Sequence, residues 1–393
     1  MIWNMKELVN KFSGIFGKGE DVRIYSAPGR VELGGNHTDH QKGCVLAASV
    51  NLDMRAAVRK NGTTVLRVKS EGYDLMEIDT ADLSVKEGEK NTTASLVRGV
   101  AAGFKMRGIE VSGLDMYIVS DVFKGSGLSS SAAFEVLLGT AFSDMFDASF
   151  SAVEIAKIGQ FAEHEYFGKP CGLMDQMASS VGGIVAIDFI SEEPSVEKIE
   201  CNLKEYGYDL AIIDAGADHA DLTSEYASLP SEMKSVAAFF GKEVLGEVDE
   251  REFYKSIADV RKKVGDRAVL RAVHFFRDTK RAKAEADCLK SGDFEGFLKL
   301  LGESGRSSFM YLQNIYVKGA VKNQAMAYAL AVCEELLLGR GAVRIQGGGF
   351  GGTLEAFVPC DLTEQFKEGI DKMIGKNMCT VLTIRPDGGK RIK

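Results

Sequence analysis

Gly125-Ser126-Gly127-Leu128-Ser129-Ser130-Ser131-Ala132-Ala133 decides how the rest of this chain reads. A strand-like apolar run of Leu114, Met116, Ile118, Val122 and Phe123 leads into it. Ala132, Ala133, Phe134, Val136, Leu137 and Leu138 follow with the look of a helix. Glycine lets a backbone come close to a ligand. The serines then fall at the first turn of a helix, where unclaimed N–H groups and the positive dipole end favour an anion. The stretch predicts a phosphate cradle, although a glycine turn with a serine N-cap has the same look. Neither Gly-x-x-x-x-Gly-Lys-Ser/Thr nor a His-Arg-Asp or Asp-Phe-Gly triplet occurs, which removes the lysine P-loop and the protein-kinase set.

A chain of 393 residues is too long for one ordinary core, so two domains are expected, 1–195 and 196–393. Apolar content of 45% with 26% charged residues describes a soluble globular protein. A net charge of −8 speaks against a nucleic-acid partner, while still allowing a local cradle for ATP. The seven cysteines include no Cys-x-x-Cys pair, as suits a reducing compartment. Residues 1–17 space Trp3, Leu8, Phe12, Ile15 and Phe16 among charges like an amphipathic helix, not a signal peptide. No apolar run is long enough for a bilayer. The expectation is a cytoplasmic protein with no membrane partner.

Alternation predicts strands at 22–26, 45–50, 54–58, 64–68 and 75–78, with Pro28-Gly29 breaking the first. Helical spacing covers 94–106 and 152–167, the latter stopped by Gly168 and Pro170. Past residue 195 a buried strand at 209–214 precedes helices at 231–241, 250–264, 266–291 and 293–302. A further long helix lies within 312–338, and strands at 343–345 and 353–358 bracket a glycine run. The pattern is α+β.

Two more segments matter. Ala27-Pro28-Gly29-Arg30-Val31-Glu32-Leu33-Gly34-Gly35-Asn36-His37-Thr38-Asp39-His40 lies upstream, and Gln346-Gly347-Gly348-Gly349-Phe350-Gly351-Gly352 near the C-terminus. Together with the serine-rich stretch, in this order, they resemble the GHMP kinase superfamily, which phosphorylates small hydroxylated metabolites. The Gly-Arg-Val…Gly-x-His-Thr-Asp framework is similar to the galactokinase signature. Cys171-Gly172-Leu173-Met174-Asp175-Gln176 looks like that family's active-site helix start, and the likeness continues through Ser224-Glu225-Tyr226. It implies a ribosomal-S5-like N-terminal lobe, a ferredoxin-like C-terminal lobe and a site between them.

The resemblance implies ATP-dependent phosphorylation of galactose at its C1 hydroxyl, with Mg²⁺ as cofactor. It assigns the nucleotide phosphates to Gly125, Ser126, Gly127, Leu128, Ser129, Ser130 and Ser131. It assigns the metal to a loop serine, Ser130 or Ser131, together with Glu163; one hydroxyl and one carboxylate suffice for an ion that keeps several waters. Asp175 would contact the reacting hydroxyl, with Arg30 keeping it ionised and neutralising the transferring phosphoryl group. An Asp so held is a weak base, which a loose phosphoryl-transfer transition state tolerates. Asn36, His37, Asp39, Gly172 and Tyr226 would bind the sugar. His37-x-x-His40 also has the spacing of a metal pair, but neither a cysteine nor a zincin glutamate accompanies it.

Glu32 stands where the family usually has Asn, Asn36 where it has Glu, and His40 where it has Tyr. The first two look like a carboxylate exchanged between positions four apart. The usual Glu lies near the sugar's C6 hydroxyl, so Asn36 would ease acceptance of an acidic C6. Galacturonate and N-acetylgalactosamine are therefore alternative substrates, and a non-catalytic sugar sensor is an alternative of another class. Thr93 and Leu96 replace a usual aromatic pair on the nucleotide side.

Overall fold

A computed structural model describes residues 4–122, 127–169, 171–216 and 222–393. Its strands form two sheets. The larger takes β1 (Arg23–Gly34), β2 (Cys44–Lys60), β3 (Val65–Ser70), β4 (Leu75–Asp79), β5 (Leu114–Ser120), β6 (Ile184–Asp188) and β7 (Ser195–Ile199). The smaller takes β8 (Tyr208–Asp214), β9 (Ala342–Ile345), β10 (Thr353–Pro359) and β11 (Cys379–Leu382), in the order β11-β8-β10-β9. The final strand, β12 (Lys390–Arg391), returns to the larger sheet and pairs with β1. The architecture is α+β.

β2 is one strand where alternation predicted two. Its first half pairs with β6 and its second with β5. Its polar middle stays extended because Asn51 N–H donates to the Thr383 carbonyl at 3.0 Å and Val50 bridges to Ile384. β1 likewise runs on through Pro28-Gly29. The expected break is a register shift between Pro28 and Arg30, a bulge that re-aims a side chain without ending the strand. Arg30 N–H donates to the Leu128 carbonyl at 3.0 Å, joining the strand to the turn that leads into the serine-rich helix start.

Helix α1 (Met5–Phe16) buries Leu8 and Phe12 against Ile24, Ala57, Tyr117 and Val119. The main core lies between the larger sheet and α2 (Thr93–Lys105), α3 (Ser130–Met145) and α4 (Ala152–Phe161). Nearly every residue of α3 is buried, as its all-round apolar sequence requires. The helix expected to reach residue 167 is α-helical only to Phe161; Ala162–Phe167 widens into a π-helix. Such local widening is frequent at functional sites, and here it carries Glu163. α5 (Met174–Val181) follows.

In the second half, α6 (Thr223–Phe239), α7 (Glu250–Val264) and α8 (Asp266–Ser291) share a core that includes Leu229, Met233, Phe253, Ala272 and Phe276. α6 begins eight residues before the expected 231 and passes through Pro230, because Leu229 and Met233, on either side, are held in that core. α8 and α9 (Phe294–Ser307) lie between the two sheets, and α10 (Ala325–Leu337) and α11 (Thr363–Met373) cover the smaller one. This arrangement brings the turn after β1, the start of α3, the start of α5 and the β9–β10 connection to one place.

Candidate active site

The bulged Arg30 reaches across to α5. Its Nε lies 2.7 Å from Asp175 Oδ1, and its Nη1 donates to the Gly127 carbonyl at 2.5 Å. Ser129 Oγ donates to the other Asp175 oxygen at 2.7 Å. Burial works to raise the Asp175 pKa, but the Arg30 charge and the hydrogen bonds from Arg30 and Ser129 outweigh it and hold the carboxyl below its usual range. Asp175 is therefore an ionised acceptor at the mouth of the phosphate loop. Ser129 sits at the N-cap position of α3 in a left-handed conformation, φ 55°, and its side chain makes no capping bond. The N-cap reading of the serine cluster thus fails at Ser129, whose hydroxyl serves Asp175 instead.

Gly127 and Leu128 close the described part of the loop; Gly125 and Ser126 lie outside the described residues. A Cβ on Gly127, at φ +68°, would come within 2.4 Å of Thr353 Oγ1 and 2.6 Å of Gln346 Nε2. The ends of the glycine-rich connection thus close on Gly127, and glycine is required by that approach. Ser130 opens α3 one residue before Ser131.

Ser131 Oγ lies 3.2 Å from Glu163 Oε1, so the serine expected at a metal meets the expected carboxylate. Lys169 Nζ is also 3.2 Å from that oxygen, and Gln176 Nε2 donates to Oε2 at 2.8 Å. The same Gln176 nitrogen donates to Glu135 Oε2 at 2.9 Å. Burial, then the Glu163 charge, pushes the Glu135 carboxyl well above its usual range. The donor set of hydroxyl and carboxylate oxygens fits Mg²⁺, with room in its shell for water and phosphate. Lys169, Gln176 and Glu135 were not singled out from sequence, although Gln176 stands inside the quoted run.

The sugar signature forms a tight turn. His37 has φ 58°, a left-handed conformation that costs a non-glycine residue roughly 1–3 kcal/mol and persists only where its surroundings impose it. Asp39 packs so closely on Gly172 that a Cβ there would lie 1.5 Å from Asp39 Oδ2. Asp39 accepts backbone N–H bonds from His40 and Met174, but burial and then the Asp175 charge push its carboxyl up to about 6. The two neighbouring carboxyls thus titrate apart, Asp175 below its usual range and Asp39 at about 6. Tyr226 Oη donates to the Gly349 carbonyl at 2.9 Å, and its ring would meet a Cβ on Gly348 at 2.5 Å.

Asn36 is held by protein contacts. It is fully buried, and its amide is engaged on both sides. Nδ2 donates to Glu32 Oε1 at 2.8 Å and to the Gly347 carbonyl at 2.7 Å, while Oδ1 accepts from Asn314 Nδ2 at 2.8 Å. Asn36 ties the signature turn to the glycine-rich segment, and its hydrogen-bonding groups are spent on protein. The exchange with Glu32 is a direct contact. Glu32 also meets Arg344 at 2.8 Å, and burial raises its carboxyl to about 7 against the pull of Arg344 and Arg30. A glutamate restored at 36 would face Glu32 and a carbonyl, so Asn36→Glu loses two donated bonds and sets two carboxylates together.

A serine-rich helix start, an Arg–Asp pair beside it and a hydroxyl–carboxylate pair whose oxygens suit Mg²⁺ stand together, the arrangement that phosphoryl transfer to a small molecule would need. The comparisons place it. The profile for the GHMP kinases N terminal domain matches residues 95–183, and that for the galactokinase galactose-binding signature matches residues 10–60. A galactokinase of Glaesserella parasuis serovar 5 is 30% identical over 372 residues, covering 93% of this chain and 92% of its own. This chain belongs to the galactokinase family of GHMP kinases. The crystal structure of Lactococcus lactis galactokinase complexed with galactose superposes with a TM-score of 0.86 at 24% identity, covering 99% of this chain and 100% of that one. The Methanococcus jannaschii mevalonate kinase superposes with a TM-score of 0.65 at 14% identity, covering 93% and 99%. Both confirm the fold.

Proposed function

We propose that this protein transfers the γ-phosphoryl group of ATP to the anomeric hydroxyl of galactose, giving α-galactose 1-phosphate and ADP. The observation that carries the reading is the ionised Asp175, held by Arg30 and Ser129 beside the loop that meets the phosphates. The sugar C1 hydroxyl hydrogen-bonds to Asp175, its oxygen forms the new bond to γ-phosphorus, and the bond to the β-phosphate oxygen breaks. The hydroxyl proton passes to Asp175, which need be only a weak base. Arg30 offsets the charge that builds on the transferring oxygens, and the α3 N-terminus binds the phosphates that remain on ADP. Ser131 and Glu163 would hold Mg²⁺, which when bound draws negative charge from the phosphate oxygens. Asp39 would accept sugar hydroxyls while Gly172 admits the close approach.

Residues 1–195 would supply the phosphate loop and sugar signature, and 196–393 the glycine-rich segment, with β12 returned to the first sheet. No helix among the described residues is long and apolar enough to cross a membrane, and all seven cysteines are free thiols. Both features suit an enzyme of the cytoplasm working on small molecules.

The test is kcat/KM for galactose, glucose, galacturonate and N-acetylgalactosamine under identical conditions. Galactose should lead. Glucose, with its C4 hydroxyl inverted, leaves a buried polar group unpaired and should lose about 1–3 kcal/mol. A clear preference for galacturonate would overturn galactose as the substrate, and ATP binding without turnover of any sugar would favour a sensor.

A further inference from the structure

Four hydrogen bonds run in line through the sugar signature. Leu245 N–H donates to Gln41 Oε1 at 3.1 Å. Gln41 Nε2 lies 3.1 Å from His40 Nδ1, His40 Nε2 lies 3.3 Å from His37 Nδ1, and His37 Nε2 lies 3.0 Å from the Gly348 carbonyl. The direction of every proton follows from either end. A backbone N–H only donates, so Gln41 presents its oxygen to Leu245 and its NH₂ to His40. His40 then accepts at Nδ1, carries its proton on Nε2 and donates to His37, which accepts at Nδ1 and donates from Nε2. From the other end, the Gly348 carbonyl only accepts, so His37 must carry its proton on Nε2, and the same polarity runs back to Gln41. The two readings agree. Desolvation of the rings supports a neutral pair, lowering His37 to about 4 and His40 to about 3.

The chain joins three parts of the molecule. Leu245 belongs to the connection between α6 and α7, Gln41 is fully buried in the turn after the signature, and Gly348 belongs to the β9–β10 connection. Asn36, His37 and Tyr226 donate in turn to the consecutive carbonyls of Gly347, Gly348 and Gly349. The glycine-rich segment is thus docked on two side chains of the sugar signature and on Tyr226 of α6, and the middle bond depends on which His37 nitrogen holds the proton.

We propose that His40 and Gln41 are positioning residues that fix His37 as the Nε2–H tautomer, so that it docks the glycine-rich segment and shapes the sugar-binding edge. A wrong His tautomer presents a lone pair to the carbonyl and repels the segment it should hold. The proposal rests on the galactose reading only for its kinetic part; the tautomer is read independently of turnover.

The experiment is ¹⁵N–¹H NMR of the five histidine rings in the full-length protein, assigned by single substitutions, with galactose and ATP kinetics alongside. In the unsubstituted protein both His37 and His40 should appear as neutral Nε2–H rings. Gln41→Glu keeps an acceptor for Leu245 but offers His40 no proton. It should change the His40 protonation pattern and raise KM for galactose about tenfold or more, with KM for ATP within about twofold. His40→Leu, which leaves His37 Nδ1 without its donor, should raise KM for galactose to a similar extent. His40→Gln, whose Nε2–H₂ can replace the imidazole donor, should return KM for galactose to near the original value. An Nδ1–H tautomer at His37 in the unsubstituted protein overturns the proposal even if every variant misfolds. Unaltered KM for galactose in folded Gln41→Glu and His40→Leu overturns it as well. Should the unsubstituted protein fail to phosphorylate galactose while both rings read Nε2–H, the galactose assignment fails and the tautomer assignment stands.

Discussion

At the scale of single residues, the proposed chemistry concentrates on Asp175. Arg30 Nε and Ser129 Oγ each lie 2.7 Å from one of its oxygens, and together they favour the charged form. Asp175→Asn removes the acceptor of the sugar proton while leaving the side-chain volume unchanged. Its kcat should fall by roughly 10²–10⁴ with ATP affinity and melting temperature preserved; near-full turnover in that variant would remove Asp175 from the mechanism. In the proposed mechanism Glu163 would hold Mg²⁺ through a carboxylate oxygen, so Glu163→Gln should raise the Mg²⁺ concentration needed for half-maximal rate and leave KM for galactose nearly unchanged. A titration of rate against Mg²⁺ at fixed ATP decides it, and an unshifted midpoint would move the metal away from Ser131 and Glu163.

At the scale of elements, the start of α3 behaves differently from an ordinary capped helix. A serine at an N-cap normally contributes about 0.5–2 kcal/mol by accepting a backbone N–H. Ser129 occupies that position but spends its hydroxyl on Asp175. Ser129→Ala should therefore change thermal stability little. It should shift the acidic limb of the kcat/KM profile to higher pH, because the lost donor had favoured the carboxylate. A large fall in melting temperature with an unmoved acid limb would mean that Ser129 caps the helix after all. The π-helical turn and α5 complete the same logic: Glu163 and Gln176 come from different helices and meet over the start of α3.

At the scale of the whole molecule, the two sheets meet through buried charge. Arg344 on β9 pairs with Glu32 on β1 and lies 3.9 Å from Glu355 on β10. Neither Glu355 oxygen has a hydrogen-bond partner among the described residues. Burial raises its carboxyl to about 8 despite the opposing pull of Arg344. A carboxyl whose pKa rises on folding makes the folded state bind more protons than the unfolded chain, so its contribution is retained below the unfolded pKa and lost as pH climbs through the folded one. Between about pH 4.5 and 8, Glu355 should thus erode stability. Glu355→Gln should flatten that slope and gain about 1–3 kcal/mol at pH 8 relative to pH 5. Chemical denaturation at both pH values tests this, and parallel losses in the two proteins would contradict it.

The sequence by itself determined what local chemistry dictates. The glycine and serine spacing before α3 suggested an anion site, and the family resemblance picked out Arg30, Asp175, Ser131 and Glu163, which the structure brings together in pairs. The long helices 250–264 and 266–291 were legible because their amphipathic period and caps lie within the segments themselves. Tertiary structure alone decided what depends on partners distant in sequence. β2 stays one strand because residues 383 and 384 hold its middle. The Asn36 amide is held in protein hydrogen bonds because Gly347 and Asn314, each about three hundred residues on, meet it. Glu135, Lys169 and Gln176 carry no local signal, since a buried carboxyl or a surface lysine is read only from what faces it. Periodicity encodes which face of an element is buried; which charge meets which across two sheets is set by the fold, because that choice is made by distance and dielectric and leaves no period in the chain.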